Sequence, residues 1–216
     1  MIEKTLAFTK PDGTVRRYVS ARFVKTFIDS GFSFLFFGQI KPDRKFIAEK
    51  HYGQYSDKYF YRSTIQYVAS GPIVAMVMSG DDIVSKVREI IGPTMAEQAP
   101  MDTLRGRYGL YKGVNICHVS DKESAEKEVQ MWMDEVLAVD ESKDYNKLAS
   151  DYVAKYIDYP MIDTMRYREL IRDMLDNKIK QEDLKVDMFS LLKKESDFDD
   201  DTLQTVVEGV MGNLLV

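Results

Sequence analysis

His118 is one of two histidines in a chain of 216 residues, and it stands in the run Val114-Asn115-Ile116-Cys117-His118-Val119-Ser120-Asp121. The residues before it are apolar and strand-like, and Ser120-Asp121-Lys122-Glu123 after it has the pattern of a capping box that opens a helix. A histidine at such a junction meets free backbone N–H groups and the positive end of a helix dipole, both of which attract phosphate. Imidazole is a competent nucleophile near neutral pH, so this segment reads as a place where an anionic substrate is attacked. Three cations suit the same purpose: Lys10, Arg88 and Arg105. Arginine forks grip phosphate oxygens and lysine adds a compact charge. The sequence carries neither G-x-x-x-x-G-K-[ST] nor a G-x-G-x-x-G after a strand, so side chains would have to supply the phosphate contacts.

The elements that must position these groups alternate over the first 140 or so residues. Residues 4–10 read as a strand ended by the turn Pro11-Asp12-Gly13. Val19, Phe23, Val24, Phe27 and Ile28 recur at helical spacing, with Gly31 as the residue after the helix. Residues 32–40 read as a second strand, 44–52 and 58–69 as short helices, and 70–80 as a central strand. Asp81 or Asp82 is expected to cap a helix through Ile91 that Gly92 closes. Residues 93–113 have little periodicity, and a loop of that length in a compact domain is more often functional than idle. A strand at 114–118 and a helix carrying Ala125, Val129, Trp132, Met133 and Val136 on one face complete the order. This is an α+β pattern: a ferredoxin-like split βαβ sandwich with a four-stranded antiparallel sheet and one extra helical insertion.

From residue 139 onward only helical signals remain. Tyr145, Tyr152 and Tyr156 lead one stripe, Leu170 and Met174 a second, Leu184 and Met188 a third, and Leu203, Val207 and Val210 a fourth. We therefore divide the chain into residues 1–138 and an all-helical appendage, residues 139–216. Composition sets outer bounds. With 44% hydrophobic and 30% charged residues the chain can bury a core, and a formal charge of -5 makes nucleic acid an unexpected main partner. A lone cysteine excludes an internal disulfide, and no apolar run reaches the roughly 20 residues of a membrane span, so the expected location is cytoplasmic, without a membrane partner.

The stretch TLAFTKPDGTVRR resembles the opening of nucleoside diphosphate kinases, and HYGQYSDKYFY, SGPIVAMV, VREIIGPT, TLRGRYG and NICHVSDKESAEKE follow in that family's order. The resemblance covers residues 4–135 and stops at the appendage. It implies a ping-pong reaction in which the γ-phosphate of a nucleoside triphosphate, typically that of ATP, moves to His118 and then to a nucleoside diphosphate. It also implies Mg²⁺ held through the nucleotide phosphates, with no metal ligand from the protein. By the same resemblance Glu128 orients the His118 ring, Ser120 supports Glu128, and Lys10 and Tyr52 belong to the catalytic group. Lys10, Arg88, Thr94, Arg105 and Asn115 match the family's phosphate and ribose contacts, and Phe60 matches the aromatic that stacks on the base. Stacking accepts any base, which fits broad nucleotide specificity. Family members assemble as hexamers or tetramers of dimers, so a homo-oligomer is expected.

Some residues invite a plainer reading. His51 is expected to be structural, Cys117 to be a small buried hydrophobe, and Arg16, Arg17 and Arg107 to be a solvated basic surface. The appendage tyrosines suit a helix face that docks on something, which leaves room for a protein partner through residues 139–216 and for a scaffold role or a protein-directed phosphohistidine donor. Val119 departs from the family's usual glycine, a costly exchange if that position needs φ > 0.

Overall fold

The computed structural model describes residues 2–215. Four strands, β1 (Ile2–Thr9), β2 (Ser33–Ile40), β3 (Ile73–Asp81) and β4 (Cys117–Val119), form one antiparallel sheet in the order β2-β3-β1-β4. Strand β3 reads Ile-Val-Ala-Met-Val-Met without alternation because both of its faces are buried. Strand β1 is buried from Thr5 onward and places Phe8 opposite His118 of β4.

Between β1 and β2 the chain makes a short helix, α1 (Pro11–Val15), and then α2 (Arg17–Asp29), which buries Val19, Phe23, Val24 and Phe27 on the sheet. One turn, α3 (Arg44–Phe46), runs on as a π-helical turn Ile47–His51, and α4 (Tyr61–Val68) leads into β3. Helix α5 (Ile83–Ile91) ends, as expected, at Gly92, whose φ of 80° with ψ of -179° lies in a positive-φ region that favours glycine rather than in the left-handed helical one. Asp82 precedes α5 in the left-handed region, and its side chain makes no cap bond to the helix backbone. The long loop holds α6 (Leu104–Tyr108), and α7 (Ala125–Glu135) follows β4.

Two expectations change here. The helix after β4 opens at Ala125 rather than Ser120, with three turn residues before it, so no capping box forms at Ser120. Ser120 instead extends the strand pairing, its N–H bonding to Leu6 O at 3.1 Å, and its hydroxyl is engaged elsewhere. His118 is therefore held by a strand, six residues ahead of the helix dipole. Val119 is an ordinary strand residue paired with Ala7, and no strain falls on it. The strained backbone is at Ile116, a β-branched residue at φ 68°.

The four helices of residues 139–216 are α8 (Tyr145–Tyr156), α9 (Thr164–Leu175), α10 (Gln181–Lys194) and α11 (Asp200–Leu214). Helix α8 lies on α2 and on β2, an edge strand of the sheet. Tyr145 packs on Phe36 and Tyr152 on Phe37, with ring centroids 5.3 and 5.5 Å apart. Asn146 Oδ1 accepts the Phe34 N–H at 3.0 Å, and Ser20 and Tyr152 share a 2.7 Å hydrogen bond. The tyrosine face thus docks on the chain itself. Helix α11 packs on α4 and α1.

Arg16 and Arg17 are not solvated: they are 0% and 5% exposed. Arg16 sits over the Tyr167 ring and reaches Glu195 Oε2 at 3.3 Å, Tyr108 O at 2.9 Å and Thr164 Oγ1 at 2.9 Å. Arg17 pairs with Asp197 and lies between the rings of Tyr156 and Phe198. These two side chains join α1 and α2 to the appendage. Arg107 is exposed, as expected.

Candidate active site

His118 opens onto a pocket of about 270 Å³. Its ring stacks on Phe8 at 4.8 Å and meets His51 edge-on at 4.4 Å, so two aromatic contacts fix its plane. His118 Nε2 is 2.9 Å from Glu128 Oε2. Glu128 lies on the buried face of α7 with Val129 and Trp132, and accepts hydrogen bonds from Ser120 Oγ at 2.8 Å and Ser124 Oγ at 2.9 Å. Burial alone would raise its pKa. The hydrogen bonds from the His118 ring and the Ser120 hydroxyl oppose burial and help hold the carboxyl down at about 2. An ionised Glu128 accepts the Nε2 proton and fixes the tautomer, which leaves the Nδ1 lone pair available for attack.

His51 belongs to the support behind this ring. Its Nδ1 accepts the Trp132 indole N–H at 3.1 Å, and burial with the neighbouring His118 keeps it far below the ordinary histidine range, hence neutral. Cys117 is buried, and burial pushes its thiol up, away from the reactive thiolate.

Lys10 follows β1 directly, and its Nζ donates to Asn115 Oδ1 at 2.9 Å and Gly113 O at 3.0 Å. Its backbone N–H bonds to Ile116 O at 2.7 Å, and a Cβ on Gly13 would stand 2.6 Å from that same oxygen. The turn after β1 thus needs glycine so that the strained Ile116 carbonyl can sit against it. Burial and the Arg105 guanidinium bring the Lys10 ammonium down to about 8. Arg105, in α6, donates to Gly92 O at 3.0 Å and Cys117 O at 3.3 Å. Its buried Nε has no hydrogen-bond partner among the described residues.

Asn115 bridges Lys10 to the Thr94 carbonyl, reached by its Nδ2 at 2.7 Å. Arg88 is half exposed at the rim and pairs with Asp121. Tyr52 stands 6.3 Å from the His118 ring, its phenol pushed up by burial and by Glu128. Phe60, partly exposed, lines the pocket with Tyr55 6.0 Å from it. All ten residues expected at the site thus border this pocket or hold those that do. Sequence reasoning missed Asp121 as the Arg88 partner and Asn213, a pocket-lining residue from α11.

His51, His118 and Glu128 bring donor atoms within 4.8 Å of one another. Two imidazoles suit a softer ion than Mg²⁺, which prefers oxygen donors and keeps substrate phosphates among its ligands. The lysine and arginines of the wall suit phosphate oxygens, and Asp121 is the carboxylate at the rim, paired with Arg88.

A split βαβ sheet that presents an oriented histidine to a cation-lined pocket defines a protein built to handle phosphate esters. Comparison with known proteins narrows this. Residues 3–137 match the family model described as nucleoside diphosphate kinase, and the chain belongs to that family. It is 38% identical over 136 residues to a nucleoside diphosphate kinase of Methanosphaera stadtmanae, covering 62% of this chain and 88% of that one. The solved nucleoside diphosphate kinase of Halobacterium salinarum, in complex with CDP, is 32% identical with a TM-score of 0.59, covering 69% of this chain and 99% of that one. That of Encephalitozoon cuniculi is 35% identical with a TM-score of 0.57, covering 65% and 92%. Residues 138–216 lie outside the family match.

Proposed function

We propose that this protein is an active nucleoside diphosphate kinase that works through phosphorylated His118. The observation that carries the reading is the Glu128–His118 hydrogen bond through Nε2, inside a pocket that also holds Lys10 and Arg105. The donor is the Mg²⁺ complex of a nucleoside triphosphate, and the ion enters with the substrate. Nδ1 attacks the γ-phosphorus, a P–N bond forms as the bond to the bridging oxygen breaks, and the nucleoside diphosphate leaves. A second nucleoside diphosphate then attacks the phosphohistidine with its terminal phosphate oxygen, which restores free His118. Glu128 stabilises the cationic ring as charge develops, while Lys10, Arg88 and Arg105 neutralise the phosphate oxygens. Asn115 and Thr94 form the wall beside Lys10, and Phe60 supplies the face for the base.

A full set of phosphate-binding side chains favours an enzyme over a scaffold, since assembly alone makes no use of them. The appendage faces that suggested a protein partner are covered by the chain's own sheet and helices, and this removes the reason for invoking one. We propose residues 1–138 as the catalytic unit and 139–216 as an extension that completes its surface. The resemblance also implies a homo-oligomer; α8 packs on β2, so the extension covers part of that edge strand. Mononucleotide substrates favour a cytoplasmic location, and among the described residues no helix is long and apolar enough to cross a membrane.

Incubation with γ-labelled ATP tests the reading. Acid-labile, base-stable label that is absent from His118→Ala and passes to GDP or dCDP supports it; label that passes only to proteins would favour a protein-directed donor instead.

A further inference from the structure

We propose that Asn213, in the last helix of the extension, hydrogen-bonds the edge of the nucleobase and so contributes to base preference. This deepens the nucleoside diphosphate kinase reading and rests on it. Residue 213 lies outside the family match, yet it lines the same pocket as Lys10, Phe60 and His118.

Helix α11 cannot drift from this position easily. Leu203, Val206, Val207, Val210, Met211 and Leu214 are all buried, and a Cβ on Gly209 would stand 2.5 Å from Ser70 Cβ. The helix is therefore seated at backbone distance on the turn between α4 and β3. One helical turn further on, Asn213 Oδ1 approaches Gly113, where an added Cβ would be 3.2 Å away. The Gly113 carbonyl is the one that accepts from Lys10, so the carboxamide borders the wall that anchors the site's buried lysine.

Asn213 is half-buried, and among the described residues no hydrogen bond takes up its amide. A carboxamide offers two donors and two acceptor lone pairs, and those of Asn213 are free to meet a ligand that displaces water from the pocket. The pocket is where that partner would sit. Phe60 provides a base-tolerant stacking surface, and stacking alone does not discriminate among bases. A side-by-side donor and acceptor is the pattern with which asparagine pairs with base edges. Phosphates are a poorer match for a neutral carboxamide than for Lys10, Arg88 and Arg105, which line the same pocket.

The test is steady-state kinetics with ADP, GDP, CDP and UDP as acceptors, using the full chain and its Asn213→Ala and Asn213→Asp variants. Loss of one neutral hydrogen bond predicts that Asn213→Ala raises KM by about two- to tenfold, with kcat nearly unchanged. The isosteric Asn213→Asp variant offers acceptors only. It should shift preference toward GDP, whose edge presents adjacent N1–H and N2–H donors, and away from UDP, whose edge presents one N3–H donor between two carbonyls. Equal KM changes for all four bases, a change in kcat alone, or no change would overturn the proposal. His118 labelling by γ-labelled ATP is run on the same samples. Label without any base-dependent change rejects only the Asn213 assignment, whereas absence of label rejects the kinase reading beneath it.

Discussion

Replacement of Glu195 by alanine would strand the guanidinium of Arg16, which is 0% exposed. In the native protein Glu195 accepts from Arg16 Nε at 3.3 Å, from the Ile162 N–H at 2.8 Å and from the Tyr167 hydroxyl. Removing one partner of a buried ion pair costs about 3–5 kcal/mol, because the remaining charge has lost its solvent and its counter-charge. With an unfolding entropy of roughly 2.1 cal/mol/K per residue, 216 residues carry about 0.45 kcal/mol/K, so Tm should fall by about 7–11 °C. Calorimetry or circular dichroism measures this directly. The double variant Arg16→Met/Glu195→Leu should recover most of the loss, since it removes the uncompensated charge and keeps apolar volume. Activity well below the transition should change little, because Arg16 does not line the pocket. A Glu195→Ala Tm within 1–2 °C of the wild type, where about 7 °C is the smallest fall expected, would refute the buried connection between α1 and the appendage.

Three further outcomes follow from the site and its cover. Lys10 has its pKa lowered from 10.5 to about 8, so kcat/KM should fall as pH rises through about 8, and Lys10→Met should lose both activity and that alkaline limb. The sign for stability is opposite: the depressed value makes the buried charge unfavourable below about 8, and this cost fades as pH climbs toward 10.5. Arg88→Ala, at a half-exposed rim residue, should lower kcat/KM by about 10- to 150-fold with Tm unchanged, the loss expected for one charge-assisted hydrogen bond. Deletion of residues 139–216 should bare the β2 edge and the α2 face, giving a larger mass in light scattering or insoluble protein; a soluble fragment of unchanged association state would contradict the covering role of α8.

Much of this architecture was legible because local patterns and tertiary burial agree. The strands of residues 2–9, 33–40 and 73–81 carry unbroken or alternating apolar runs, and Gly31 and Gly92 mark real helix ends at φ 75° and 80°. The capping-box reading of Ser120 failed because the same hydroxyl has a stronger partner in the Glu128 carboxylate. Arg16 and Arg17 looked like surface because their counter-charges, Glu195 and Asp197, lie about 180 positions away in the sequence, where spacing carries no signal. The same distance hides Asn213: nothing local distinguishes it from any other polar residue near a helix end. The Val119 concern was misplaced by three residues, since a strand tolerates valine and the left-handed backbone falls at Ile116. The motif residues of the pocket could be read because they sit on elements whose order the periodicity revealed.

Mass spectrometry of the protein after brief incubation with Mg²⁺-ATP and an alkaline quench tests the central claim most directly. The structure predicts one phosphoryl group per chain, localised to His118 and discharged by added GDP. An unmodified wild type, or a phosphoryl group that persists in His118→Ala, would contradict it.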